Sequence, residues 1–160
     1  MYQKIIIVFF IILNLIIFST EITALDRETI IKNEFNGLWK GEGKIIVSWS
    51  EKKYISFELQ IDENGNVKGK IGDASIDQGK IKHNNIIYRL LGNCEYIIDA
   101  DLSNFLIEKE EIKRESIRIF LDFKSPFFTG GFHTSGSKFG GKEKMKFSGT
   151  KIKLSKNKIN

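Results

Sequence analysis

The sequence predicts an all-β fold, a single antiparallel barrel or sandwich of about eight to ten strands. Three observations predict it. Apolar and polar residues alternate with period two in one stretch after another from Gly37 onward. Glycine, asparagine and aspartate separate those stretches at hairpin spacing, with no long helical pattern between them. Isoleucine far outnumbers leucine and there are 13 phenylalanines, side chains that suit a pleated, half-buried surface. The 160 residues allow one domain, and 41% hydrophobic with 28% charged residues is a globular balance.

The N-terminus reads as a separate unit. Lys4 supplies a positive start, and Ile5 to Phe18 is apolar apart from Asn14. The run falls short of the 18 or so residues that span a bilayer but suits the core of an export signal. Ser19 to Ala24 is more polar, and cleavage after Ala24 divides the chain into a signal peptide, 1–24, and a β domain, 25–160. The expected destination is periplasmic or secreted. Retained, the run would anchor the protein at its N-terminus, the one route to a membrane that the sequence offers.

Asp26 caps a short expected helix containing Ile30, Ile31 and Phe35, with Asn36-Gly37 as its stop. A strand follows from Gly37 to Ser50, placing Trp39, Gly41, Gly43, Ile45, Val47 and Trp49 on one face. Two glycines on the inner face suggest a bend or a close backbone approach. Tyr54 to Ile61 repeats the alternation, Asn64-Gly65 gives a tight hairpin, and Val67, Gly69 and Ile71 return. Ile76 to Lys82 is a fourth strand, and Ile86 to Leu91, after the turn His83-Asn84-Asn85, reads as a fifth, apolar on both faces. Cys94, Tyr96, Ile98, Ala100 and Leu102 alternate next; Cys94, the only cysteine, reads as a small buried hydrophobe. Phe105 to Ile107 and Ile112 flank a charged run that forms a hairpin tip or a helical turn. Ile117, Ile119, Leu121 and Phe123 form another strand ended by Ser125-Pro126. Thr129 to Lys142 reads as a long glycine-rich loop. Met145, Phe147, Ile152 and Leu154 make a last strand with a bulge near Gly149.

Charge is uneven. The net charge is +5, but from Lys138 onward eight lysines stand against one glutamate, leaving the rest slightly acidic. A basic end attracts anionic polymer or lipid, although a lysine at every second position is equally the solvated face of a strand. Export argues against nucleic acid as a partner.

No catalytic or metal motif stands up. Gly136 to Lys142 has the glycine and lysine positions of a phosphate loop, but Glu143 follows where a hydroxyl is needed and no helix begins there. Ser135 to Lys138 spells Ser-x-x-Lys without the partner motifs of that chemistry. Asp62 to Asp73 has calcium-loop oxygens, yet Val67 occupies the obligatory glycine position. His83 and His133 are the only histidines and do not have ligand spacing. No cofactor is implied.

The stretch Asn33-Glu34-Phe35-Asn36-Gly37-Leu38-Trp39 resembles the first signature of the lipocalin-like (calycin) barrels, an asparagine followed after three residues by Gly-x-Trp at the entry to the first strand. The resemblance implies an up-and-down barrel with an apolar ligand cavity. The chain lacks the family's arginine near the last strand to stack on Trp39, a role that falls by position to Lys151 or Lys153.

Two functions are expected from these features. One is a non-enzymatic binding module for a lipid or other apolar small molecule, lined by Trp39, Trp49, Phe57 and Tyr96. The other is a cell-envelope interaction protein that binds an anionic polymer or a protein through its basic C-terminal strand. His133, Ser135 and Lys138 are the loop residues where any further site is expected.

Overall fold

A computed structural model describes residues 34–46, 51, 53–90, 94–107, 110–112, 114–136 and 147–157. Eight antiparallel strands close into a barrel: β1 (Gly37–Ile45), β2 (Tyr54–Ile61), β3 (Asn66–Ile71), β4 (Ala74–His83), β5 (Tyr96–Leu102), β8 (Ser116–Lys124), β9 (Phe127–Ser135) and β10 (Ser148–Lys156). Each strand pairs with the next in this series, and β10 returns to pair with β1. Closure removes every edge among these eight strands. Between β5 and β8, β6 (Phe105–Ile107) and β7 (Glu110–Ile112) form a separate hairpin.

The period-two pattern decides which side chains point inward. Ile55, Phe57, Leu59 and Ile61 of β2 are buried, whereas Ser56, Glu58 and Gln60 between them are exposed. Ile117, Ile119 and Leu121 of β8 do the same opposite Tyr96, Ile98 and Ala100 of β5. Glycines let neighbouring strands approach. A Cβ on Gly41 would lie 1.9 Å from the Lys153 carbonyl oxygen, and one on Gly130 would lie 1.8 Å from that of Phe120. Of the two expectations for the β1 glycines, the close backbone approach is present at Gly41, against β10.

Phe35 plugs the end of the barrel where β1 begins. Its ring meets Tyr96, Phe123 and Phe128 edge-on at 4.8, 4.9 and 4.8 Å. Trp39 packs on Phe128 at 4.4 Å and donates its indole Nε1–H to the Phe35 carbonyl at 2.7 Å. Such edge-to-face arrangements suit the ring quadrupoles. At the other end, which we call the mouth, Phe132 packs between Phe57 and Phe147 at 5.3 and 5.6 Å.

Four expectations need correction. Ile86–Leu90 is a short helix, α1, and not a strand. Asn85 caps it, its side-chain Oδ1 accepting the Ile87 amide at 2.9 Å. Thr129 to Ser135 lies in β9 and not in a loop: Phe128, Phe132 and Thr134 face inward, with Gly130 filling the remaining inward position. Cys94 precedes β5 and is half-buried, its Sγ 3.8 Å from the Asn84 amide nitrogen. Burial pushes its thiol pKa up, and the Asp122 carboxylate adds to the shift. Lys153, expected near Trp39, lies opposite Glu42 and over the Phe127 ring, and the residue opposite Trp39 in register is Lys156. The bulge near Gly149 is present: the β10 register shifts between Gly149 and Ile152, with Lys151 at φ 54°. The expected helix from Asp26, the end of the first strand at Val47 to Ser50 and Met145 lie outside the described residues, apart from the helical pair Glu34 and Phe35.

Candidate functional site

A cleft of about 520 Å³ opens on the outer wall of the barrel where β5, β8 and β9 run side by side. Register assembles it. Asp99 pairs with Arg118, which pairs with His133; one step towards the mouth, Asp101 pairs with Ser116, which pairs with Ser135. Because alternate residues on a strand share a face, these six polar side chains line one wall, with Ala100 and Ile117 at its floor.

Arg118 Nε donates to Asp99 Oδ1, and Lys82 Nζ donates to Asp99 Oδ2 at 2.9 Å. Burial of Asp99 works to raise its pKa, but the hydrogen bonds from Arg118 and Lys82 outweigh it and hold the carboxyl below the usual range. The Ser116 and Ser135 hydroxyls hydrogen-bond to each other at 2.5 Å. The His133 ring packs on Phe120 at 5.3 Å, so an outward aromatic borders the polar wall. The cleft therefore offers carboxylates that accept, a guanidinium that donates, and hydroxyls and an imidazole that do either. Its positions are held by three hydrogen-bonded strands.

Of the residues expected from sequence, the structure brings His133 and Ser135 together in this cleft, on a strand. Trp39, Phe57 and Tyr96 do not meet there. They lie inside the barrel at 1%, 2% and 3% exposure, their faces taken up by Phe35, Phe123, Phe128 and Phe132. Burial pushes the Tyr96 phenol up to about 12, with the Glu95 carboxylate adding to it. Trp49 and Lys138 lie outside the described residues. The basic C-terminal strand does turn lysines outward. Lys151, Lys153 and Lys156 are exposed, and Lys153 sits 4.6 Å above the Phe127 ring. The Asp62 turn holds its carboxylate by local bonds. The Asn66 side chain and the Asn66 and Asn64 amides all donate to it at 2.8 Å, and they lower its pKa.

Sequence reasoning missed Asp99, Asp101, Arg118 and Ser116 as a group, because only strand register unites them. It also missed Arg114, a charged side chain just 3% exposed at the mouth. Arg114 Nε donates to Thr134 Oγ1 at 3.0 Å, and that hydroxyl donates to the Phe147 carbonyl at 3.0 Å. This relay ties the segment before β8 to β9 and to the residue that precedes β10.

No family model, curated protein or solved structure matches the chain. The functional reading therefore rests on its own residues.

Proposed function

We propose that the protein is an exported binding module that recognises a hydroxyl-rich polymer of the cell envelope through the outer cleft of β5, β8 and β9. One observation carries the reading: hydrogen-bond acceptors and donors stand opposed on a single rigid wall, in a cleft of about 520 Å³, with an aromatic ring at its border. A saccharide segment presents hydroxyls that both donate and accept, so Asp101, Arg118, His133 and the serine pair match its chemistry at both poles. The cleft volume falls within the range of small-molecule and oligomer subsites. The outward lysines of β10 supply longer-range attraction where the polymer is anionic.

The test is a backbone-amide NMR titration of the protein with the saccharide fraction of its producing cell's envelope. Expected are shifts concentrated on residues 99–101, 116–118 and 133–135, abolished by Arg118→Gln together with Asp101→Asn. Shifts confined to other strands, or none at saturating saccharide, defeat the proposal.

A second reading, an apolar small molecule held inside the barrel, draws support from barrel closure and the Gly-x-Trp entry at residues 37–39. It requires the packed rings of Phe57 and Phe132 to part. Native mass spectrometry of the protein from its exported fraction separates the two, because only this second reading expects a retained mass of lipid size.

A further inference from the structure

We infer that the plugged end of the barrel is a membrane-contact surface, with Ile86, Ile87 and Leu90 entering the lipid interface. Their exposures are 60%, 62% and 81%, a concentration of apolar surface on one helical turn. Ile86 and Leu90 are four apart and Ile87 and Leu90 three apart, so the three side chains share one face of α1.

The turn is held from below. The Asn84 amide donates to the Glu95 carbonyl at 2.8 Å and the Asn84 side chain donates to that of Cys94 at 3.0 Å, closing the base of the projection. Asn85 caps the helix, accepting the Ile87 amide on its side chain and the Arg89 amide on its carbonyl at 3.1 Å. Both clamps are backbone-directed, so the exposed apolar face is built into the projection and is not left over from a core.

With the N-terminal run retained instead of cleaved after Ala24, the chain beyond the described residues points to a bilayer as the occupant. α1 follows His83, whose ring packs on Tyr96 at 4.6 Å; Tyr96 in turn meets Phe35. Phe35 is where the N-terminal segment joins the barrel, so the apolar face and that junction share one end. Upstream lies the apolar run Ile5 to Phe18, separated from Glu34 by residues 19–33. A linker of that length spans at most roughly 50 Å fully extended. While the run is attached and in lipid, the end of the barrel carrying α1 stays within that reach of the bilayer. An apolar turn beside Arg89 fits the interfacial mode, with the apolar face in the acyl boundary and the charged group at the headgroups. The surface is separate from the cleft, which opens on the side wall and stays accessible.

The experiment places an environment-sensitive nitrobenzoxadiazole label at Leu90→Cys in the full chain, in a Cys94→Ser background. The chain is reconstituted with phosphatidylethanolamine–phosphatidylglycerol vesicles that carry spin quenchers on their acyl chains. A second sample carries the label at Tyr54→Cys, an exposed position at the mouth end of the barrel. Circular dichroism checks that both retain the β fold. Expected are blue-shifted emission and strong quenching at position 90, with neither at position 54. Emission at position 90 like that in buffer, or equal quenching at both positions, overturns the inference.

Discussion

Lys156 Nζ donates to the carbonyl oxygen of Glu34 at 3.0 Å, joining the last barrel strand to the turn that leads into the first. The two residues lie 122 positions apart. Lys156 also pairs with Trp39 across β10 and β1, and its side chain runs over Gly37, where a Cβ would meet its Cε at 2.8 Å. One ammonium thus locks barrel closure to the Phe35 plug. Replacing Lys156 by methionine keeps most of the stem and removes the charge-assisted bond, and is expected to cost about 1 kcal/mol at this exposed site. Thermal unfolding followed by circular dichroism should show a drop of several degrees, largely restored by Lys156→Arg. An unchanged midpoint for Lys156→Met would show that the bond contributes nothing.

Much of the barrel is written in the local sequence, and the exceptions have physical causes. β2 and β8 declare themselves because Ile55, Phe57, Leu59 and Ile117, Ile119, Leu121 alternate with polar neighbours. β9 hides because Gly130 and Gly131 put no side chain on either face at its centre, so period two vanishes there. α1 hides because five residues of largely apolar character carry no period, and the deciding signal is the cap at Asn85. The cleft is invisible for a different reason. Asp99, Arg118 and His133 are remote in sequence and become neighbours only through two strand registers. His133 and Ser135 are reachable as residues of a glycine-rich stretch, although they stand on a strand.

The Thr134 relay makes a prediction about the mouth. Its hydroxyl accepts from the buried Arg114 and donates to Phe147, so Thr134→Val preserves shape while removing both bonds. A buried guanidinium that loses an acceptor is expected to cost about 1–3 kcal/mol. Urea titration should move the midpoint down with an unchanged slope; Thr134→Ser should recover most of the loss.

Asp99 sets an acid limit. Its carboxyl pKa is depressed in the folded protein, so the stabilisation is present above the unfolded value and is lost as pH falls through the folded one. Because Asp99, Lys82 and Arg118 are each about a third exposed or more, screening keeps the pair contributions small, about 1 kcal/mol together. Asp99→Asn should therefore be less stable than the parent at pH 7, and the two should converge as pH falls below the ordinary aspartate range and the parent's carboxyl protonates. A difference that persists down to the acid end of the titration, with no pH dependence, would assign the effect to packing.

Tyr96 sets the opposite limit. Its phenol is held protonated up to about 12 in the folded state by burial and by Glu95, whereas an unfolded tyrosine ionises near 10. The raised pKa gives stability that is complete below pH 10 and falls as pH rises towards 12, by about 2.7 kcal/mol at most. Tyr96→Phe should flatten that alkaline arm, with stability at pH 10 and 11.5 differing less than in the parent. An equal alkaline loss in the variant would place its cause elsewhere.

Strand approach at Gly130 sets the sharpest constraint on the barrel. A Cβ there would stand 1.8 Å from the Phe120 carbonyl oxygen and 2.8 Å from its carbon, and backbone atoms held in a ladder cannot swing aside. At Gly43 the nearest atoms, at 3.0 Å, belong instead to the side chains of Ile152 and Phe57, which can shift by a few tenths of an ångström. Gly130→Ala is therefore expected to part β9 from β8 and to cost more than about 3 kcal/mol, whereas Gly43→Ala should cost about 1 kcal/mol by overpacking. Denaturant unfolding of the two variants compares them directly. If Gly43→Ala proved the more damaging, interior ring packing and not strand spacing would be the tighter restraint on this barrel.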